Sequence, residues 1–170
     1  MDRPADVKLS GFFRDYPKLG SRDRAFIAEA VYGVLRHLRS LQVLAAPPTP
    51  RRLLLAWLAR HGGRNLREFE NLVDKDDLEW LRGLKGAKLD EQPEAVHLDL
   101  PDWLHERLHV QYGDHLPDLM AALNSPAPLD LRVNTLKAGR DDLLAALERD
   151  GIPATAMPYS PLGIRPQGKP

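Results

Sequence analysis

The sequence predicts a mainly α-helical chain, in which a helical bundle is followed by the start of a small α/β domain. Between Ser21 and Leu44, apolar residues recur every three or four positions, as they do along one side of a helix. Closely spaced prolines and glycines favour short helices joined by tight turns. After Pro128 the apolar period changes to that of a strand. We therefore expect a helical domain over residues 1–124 and an incomplete α/β domain over residues 125–170.

Capping residues mark the first long helices. Ser21 is expected to cap a helix that runs to about Leu44. Thr49 is expected to cap a second helix that begins at Pro50, because proline suits the first helical position, and Gly62 to end it.

Weaker signals place the remaining helices. Asn65 and Glu68 have the spacing of a capping box, so a helix is expected to open there. The other expected elements are a short helix from Asp76 to Gly86, a loop from Ala87 to Leu98, a helix that opens at residues 100–104 and ends before Gly113, and a helix from about His115 to Leu123.

Strand patterns follow the proline-rich turn that ends the helical part. Leu129, Leu131 and Val133 alternate with polar residues, as in a half-buried strand. The further expected elements are a helix over residues 141–149 and strands over residues 152–157 and 162–165. A pair or trio of strands is marginal in water by itself, so we expect the chain to end inside its second domain.

Composition excludes several classes of protein. Cysteine is absent, which rules out disulfides, cysteine-ligated zinc and a thiol nucleophile within these residues. No apolar run reaches the roughly 18 residues that cross a bilayer. The N-terminus lacks the features of a secretory signal, so we expect a cytoplasmic protein. Without a phosphate-binding glycine loop or a nucleophile elbow, no catalytic or cofactor-binding residue is predicted.

The net charge of zero hides a segregation of charge along the chain. Residues 1–60 carry a net charge of +6, residues 61–130 a net charge of −8, and residues 131–170 a net charge of +2. A basic N-terminal third can bind nucleic acid within a neutral chain, because phosphate contacts depend on the local field. The alternative is that the basic and acidic segments pack against each other, and the charge pattern alone favours neither.

The cations best suited to RNA lie in this basic third, because arginine binds phosphate bidentately and stacks on bases. The predicted RNA-binding residues are Arg14, Lys18, Arg22, Arg36, Arg39, Arg51 and Arg52. Arg51 and Arg52 oppose the dipole at the start of their helix, which predicts an anionic partner inside or outside the chain. Arg24 lies on another sector of its helix, and an ion pair with an acidic neighbour explains it at least as well as an RNA contact.

One pair of histidines and one group of aromatic residues each allow two interpretations. His105 and His109 stand four apart on a predicted helix, a spacing that can place two imidazoles on one metal ion. Without cysteine or an obvious third ligand, we expect surface histidines and no metal. Phe12, Phe13 and Tyr16 precede the first predicted helix, where packing as a hydrophobic staple is favoured over stacking on bases.

Two segments together resemble a known family. The segment that resembles the first part of a NusB-like helical domain is SRDRAFIAEAVYGVLRHLR. The segment that resembles the interdomain junction of the RsmB (Fmu) and Nop/Sun family of RNA cytosine-C5 methyltransferases is LPDWLHERLHVQYGDHLPDLMAALNSPAPLDLRVNTLK. The junction is the more specific, because NusB-like helices also occur in a transcription antitermination factor. The resemblance implies a NusB-like RNA-binding domain followed by a small α/β domain with RNA-recognition-motif character.

The resemblance also implies chemistry that these residues do not carry. Family enzymes bind S-adenosylmethionine in a later Rossmann-like domain and use a cysteine thiolate to activate the cytosine. Because the sequence has no cysteine, no catalytic residue of the family can be carried over. The leading hypothesis is the RNA-binding N-terminal portion of an rRNA cytosine-C5 methyltransferase, inactive alone. The alternatives are a stand-alone NusB-like RNA-binding or antitermination module and a structural scaffold.

Overall fold

A computed structural model describes residues 3–125 and 127–167. The chain divides into two compact units, a helical one up to Ala122 and a smaller one from Leu123 onward. A helical bundle followed by the start of an α/β domain is the predicted fold class, and the structure confirms it. None of the described helices is both long and apolar enough to cross a membrane.

Eight helices lie in the described part of the chain before the strands begin. In chain order they are α1 (Ala5–Asp15), α2 (Ser21–Arg36), α3 (Leu38–Leu44), α4 (Pro50–Arg60), α5 (Lys75–Gly86), α6 (Glu94–His97), α7 (Asp102–Tyr112) and α8 (Leu116–Asn124), with 3₁₀ turns at Leu66–Glu68 and Gly113–His115. The prediction missed α1 and also α6, which lies inside the expected loop.

The core of the helical unit forms where α2, α3, α4 and α5 meet. Its buried side chains are Ala30, Leu41, Ala45, Leu55, Ala56, Trp57, Phe69, Leu81 and Leu84. Helix α2 approaches α4 closely at Gly33, where an added Cβ would lie 2.2 Å from the Nε1 atom of Trp57. The indole ring occupies the space that any larger residue at position 33 would need.

The predicted cap of α4 is confirmed. The Thr49 hydroxyl accepts a hydrogen bond from the Arg52 backbone N–H at 3.2 Å, and Pro50 is the first helical residue. At α2 the cap lies one residue earlier than predicted, because Ser21 is already helical and Gly20 precedes it. There the Asp23 carboxylate accepts the Gly20 N–H at 3.2 Å.

The helix expected from Ser21 to Leu44 is broken at His37, whose φ and ψ angles are −110° and 24°. The cause lies in Asp99, a carboxylate far along the chain. It accepts hydrogen bonds from the Ser40 N–H at 2.8 Å and pairs with the His37 ring at 2.9 Å. In a continuous helix the Ser40 N–H would donate to the Arg36 carbonyl. At the start of α3 it donates to the Asp99 carboxylate instead.

The expected helix at Asn65 is also shorter than predicted. Asn65 and Glu68 do form the reciprocal capping bonds, at 3.3 and 2.9 Å, but they close only a 3₁₀ turn. Asp74 then caps α5 by accepting the Asp77 N–H at 2.8 Å, so that α5 begins at Lys75, one residue before the expected start.

The smaller unit is a split β-α-β arrangement. Its elements are β1 (Leu131–Arg132), α9 (Arg140–Arg149), β2 (Ala154–Ala156) and β3 (Gly163–Pro166). The strand order is β1-β3-β2 with both pairings antiparallel, so β1 and β2 run in the same direction on either side of β3. Helix α9 packs against β2 and β3.

Strand β1 is shorter than the predicted alternation. Val133 is buried, whereas Leu129 and Leu131 are 41% and 42% exposed. The chain turns directly after Val133, because the side-chain oxygen of Asn134 accepts the Leu136 N–H at 3.1 Å. The alternating pattern therefore predicted the strand correctly but not its length or its buried face.

Candidate nucleic-acid interface

Four of the seven predicted RNA-binding residues have exposed and unengaged side chains. They are Arg14 at the end of α1, Lys18 in the connection to α2, Arg22 in the first turn of α2 and Arg36 in its last turn. Within residues 3–125 and 127–167, no hydrogen bond or ion pair involves their charged groups. We call these four residues the open basic set.

Two members of the open basic set lie on the same side of α2. Arg22 and Arg36 are separated by close to four helical turns, which places them about 21 Å apart along the axis. Glu29 lies midway between them on that side and is also exposed. Two cations at this separation are too far apart to bind the same phosphate group.

Arg39 is held by the protein itself. Its guanidinium donates to the Leu100 carbonyl and to the Asp102 carboxylate, the latter at 2.5 Å, and its side chain is only 26% exposed. These contacts fasten α3 to the start of α7. The prediction that Arg39 contacts RNA is not tested by them, but they give the residue a structural role that sequence analysis did not assign.

Arg51 and Arg52 are engaged by α5. Arg51 donates to the Asp77 carboxylate at 3.0 Å, which supplies the anionic partner predicted for a cation at a helix N-terminus. The guanidinium of Arg52 lies 5.1 Å from the centre of the Trp80 ring, within cation–π range, and also approaches the Ala46 carbonyl at 3.4 Å.

Arg24 has a structural role, but its partners differ from the acidic side chain expected. It donates to the carbonyls of Leu19 at 2.9 Å and Pro17 at 3.2 Å, and it lies over the Phe13 ring at 5.4 Å. Arg24 therefore closes the connection between α1 and α2.

The aromatic residues before α2 belong to α1 and its C-cap. Phe12 contacts Phe13 edge to face, with 5.9 Å between ring centres, and Tyr16 at 4.6 Å. Phe12 and Tyr16 remain 40% and 56% exposed, beside Arg14 and Lys18 in the chain. The structure thus packs these rings against one another and leaves part of two faces open.

A cluster of titratable groups that the sequence pattern did not predict lies at the break between α2 and α3. The rings of His37 and His61 stack with 3.8 Å between centres and 4° between planes, and Asp99 holds His37. Partial burial of the ring, together with the neighbouring His37, lowers the pKa of His61. Asp99 itself has a φ of +56°, a conformation that aspartate tolerates better than most residues. We call these three residues the histidine junction.

In the smaller unit a bidentate ion pair joins the start of the sheet to β3. Arg165 donates to both carboxylate oxygens of Asp130, at 2.6 and 3.0 Å. The hydrogen bond from Arg165 lowers the pKa of Asp130 below its ordinary value. Arg132 and Lys137 are exposed cations of the same unit.

Residues 100–169 match the family model described as Methyltr_RsmF/B-like, ferredoxin-like domain. The elements β1, α9, β2 and β3, in the strand order β1-β3-β2, correspond to the first four elements of a β-α-β-β-α-β ferredoxin-like unit. Comparison of almost the whole of this chain with a relative shows that the helical unit is also similar to a methyltransferase of this kind. The chain is 28% identical to the probable ribosomal RNA small subunit methyltransferase B of Synechocystis sp., over 99% of this chain.

The chain is similar to the N-terminal regions of ribosomal RNA small subunit methyltransferases B. It is 38% identical to the ribosomal RNA small subunit methyltransferase B of Thermus thermophilus, over 64% of this chain. The chain spans 45% of the Synechocystis relative and 31% of the Thermus relative, so less than half of either. The predicted resemblance to this family is confirmed.

A solved structure shares the fold. The crystal structure of PH0851 superposes with a TM-score of 0.56 over 98% of this chain and 45% of that chain. The identity is 17%, so the likeness concerns the fold alone.

Proposed function

We propose that this chain is the RNA-binding N-terminal part of an S-adenosylmethionine-dependent methyltransferase that modifies C5 of a cytosine in small-subunit ribosomal RNA. The observation that carries the proposal is the family match over residues 100–169 together with relatives named as ribosomal RNA small subunit methyltransferases. The whole protein would act in the cytoplasm. In this proposal, residues 1–124 form the RNA-binding domain and residues 125–170 lead into the catalytic part.

The chain would contribute affinity and position rather than chemistry. It contains no cysteine, so it has no thiolate to add to a cytosine ring. S-adenosylmethionine would supply the methyl group in the remainder of the protein. The RNA would be held by the open basic set, whose charges have no partner among the described residues and whose arginines can bind phosphate bidentately.

The three engaged arginines are secondary candidates under this proposal. Arg39, Arg51 and Arg52 would have to give up contacts with Asp102, Asp77 and Trp80, or share them, before meeting a phosphate. Breaking or sharing these contacts costs free energy, whereas the open basic set has no such contacts to break among the described residues. Arg22 and Arg36 are therefore the pair to replace first.

The test is an RNA titration of the chain at about 50 and 200 mM salt, since phosphate contacts weaken with salt by a log–log slope of about −0.7 per contact on single strands. The double variant Arg22→Ala, Arg36→Ala is expected to bind more weakly and to reduce that slope by about 1.4. Glu29→Gln, which removes the carboxylate between them, is expected to strengthen binding.

A matched control removes the same charge elsewhere. Arg67 and Arg82 are exposed arginines of the acidic segment, and their double alanine variant should bind RNA as the wild type does. Equal losses in both double variants would show that only the net charge matters. No measurable RNA binding at low salt would leave the scaffold hypothesis.

The reading frame of the gene distinguishes the methyltransferase hypothesis from the hypothesis of a stand-alone RNA-binding module. The proposal requires the reading frame after codon 170 to encode a cofactor-binding domain that bears a cysteine nucleophile. A reading frame that continues without such a domain would overturn it. The methyltransferase-family match over residues 100–169 favours the enzyme over the module.

A further inference from the structure

A carboxylate and two imidazoles converge at the contact between α6 and α7. The Nε2 atom of His105 lies 2.7 Å from the Oε2 atom of Glu94, and the Nδ1 atom of His109 lies 3.5 Å from the same oxygen. All three ligand atoms lie within 4.8 Å of one another. Sequence analysis paired the two histidines but found no third ligand, because Glu94 fell in a predicted loop.

These separations are close to those of a metal centre. Zinc binds imidazole nitrogen and carboxylate oxygen at about 2.0–2.2 Å, which puts neighbouring ligand atoms of a tetrahedral site about 3.3 Å apart. The two observed contacts to the Glu94 oxygen lie on either side of that value. The remaining adjustment is a closer approach of the two imidazoles, and His109 is free to make it because its side chain is 52% exposed.

We propose that Glu94, His105 and His109 bind one divalent transition-metal ion of the Zn²⁺ type. Two imidazole nitrogens and one carboxylate oxygen suit zinc, whereas magnesium and calcium prefer sites made of oxygen alone. The side chains of Glu94 and His109 are about half exposed, so water can fill the fourth position. A bound cation would also take the place of the hydrogen bond that now joins His105 to Glu94.

The ion would fasten a segment that has little helical stability of its own. Helix α6 has only four residues, far fewer than an isolated helix needs. Its other attachments include the buried side chains of Ala95 and Val96 and the bond from the Leu100 N–H to the Ala95 carbonyl. A metal ion between α6 and α7 would fix the turn through Asp99, and with it the carboxylate of the histidine junction.

The experiment is a Zn²⁺ titration of the untagged chain by calorimetry, with the thermal midpoint measured in parallel. We expect one equivalent to bind and the midpoint to rise, because an ion that binds only the folded state stabilises it. His105→Ala and His109→Ala should each weaken binding by about tenfold or more and abolish the rise. His115→Ala, which removes an exposed histidine outside the cluster, should bind Zn²⁺ as the wild type does.

Two outcomes would overturn the proposal. One is the lack of saturable binding up to about 100 µM Zn²⁺, a concentration at which a useful site would be filled. The other is equal affinity in the wild type and the His105→Ala, His109→Ala double variant, which would place the ion elsewhere. If the less exposed His105 cannot be replaced without unfolding, His109→Ala carries the same comparison. The titration contains no RNA, so its result is independent of the proposed function.

Discussion

Neighbouring positions around α2 are used in different ways. Gly33 meets the Trp57 ring, and the chain that follows α2 is held by Asp99 in the histidine junction. Arg22 and Arg36 lie within about 60° of Gly33 around the helix axis, but they meet no partner among the described residues. The apolar period runs through Ile27, Val31 and Val34 and does not report the close approach at Gly33. It does not show that Arg39, only three residues past Arg36, is bound by a distant segment while Arg36 is not.

The largest effect is expected at the buried position, from Gly33→Ala. Alanine favours a helix over glycine by about 1 kcal/mol, but its Cβ would overlap the buried Trp57 ring. Overpacking of this kind should dominate and lower the free energy of unfolding by about 3 kcal/mol. Urea unfolding followed by circular dichroism measures the change.

Gly83→Ala is the matched control for this substitution. Gly83 lies in α5, and a Cβ added there meets nothing within 4 Å. It should therefore show the helix propensity alone and stabilise the chain by about 0.5–1 kcal/mol. If Gly33→Ala were also stabilising, the close approach of α2 and α4 would be wrong.

The next effect is expected from Asp99→Ala. The substitution leaves the Ser40 N–H and the His37 ring without their acceptor, and it puts alanine at a φ of +56°. Loss of a buried acceptor costs about 1–3 kcal/mol, so we expect a loss of about 2 kcal/mol in the free energy of unfolding. Asp99→Asn keeps an oxygen acceptor and tolerates the same φ, so it should lose less. Equal losses in the two variants would show that neither the oxygen that asparagine retains nor its tolerance of this φ stabilises the chain.

A smaller effect is expected when the pH falls. Burial and the neighbouring His37 lower the pKa of His61, while Asp99 raises it to a lesser degree and Arg60 lowers it further. The unfolded chain therefore takes up a proton at His61 more readily than the folded chain, and stability declines as the pH falls below the ordinary value of 6.5. Urea midpoints between about pH 7.5 and 5.5 should decline less steeply in His61→Gln than in the wild type. Parallel slopes would contradict this.

Features that depend only on neighbouring residues were predicted from the sequence. Thr49 and Pro50 identified the start of α4, and Gly113, with its φ of +50°, lies just past the last residue of α7 as predicted. The change of period after Pro128 located the strands. Each of these features depends on residues within a turn of one another.

Contacts between distant residues decided the rest. The break at His37 depends on Asp99, which lies 62 positions away, and the engagement of Arg39 depends on Leu100 and Asp102, 61 and 63 positions away. Glu94 joined the histidine pair only because a short helix formed where a loop was expected. No periodicity or capping rule reports such pairings, so a candidate site built from charge alone included arginines that the fold already uses.

The smallest effects compare Arg39 with the open basic set. Arg39→Ala removes the contacts with Leu100 and Asp102 that fasten α3 to α7, and a loss of about 1 kcal/mol in the free energy of unfolding is expected. The double variant Arg22→Ala, Arg36→Ala removes exposed charges without partners among the described residues, so its stability should stay within about 0.5 kcal/mol of the wild type. Urea midpoints measured in the same buffer compare the two. A larger loss in the double variant would give these arginines a structural role and remove the reason for assigning them to RNA. If Arg39→Ala left the free energy of unfolding unchanged, Arg39 would be available to bind a phosphate.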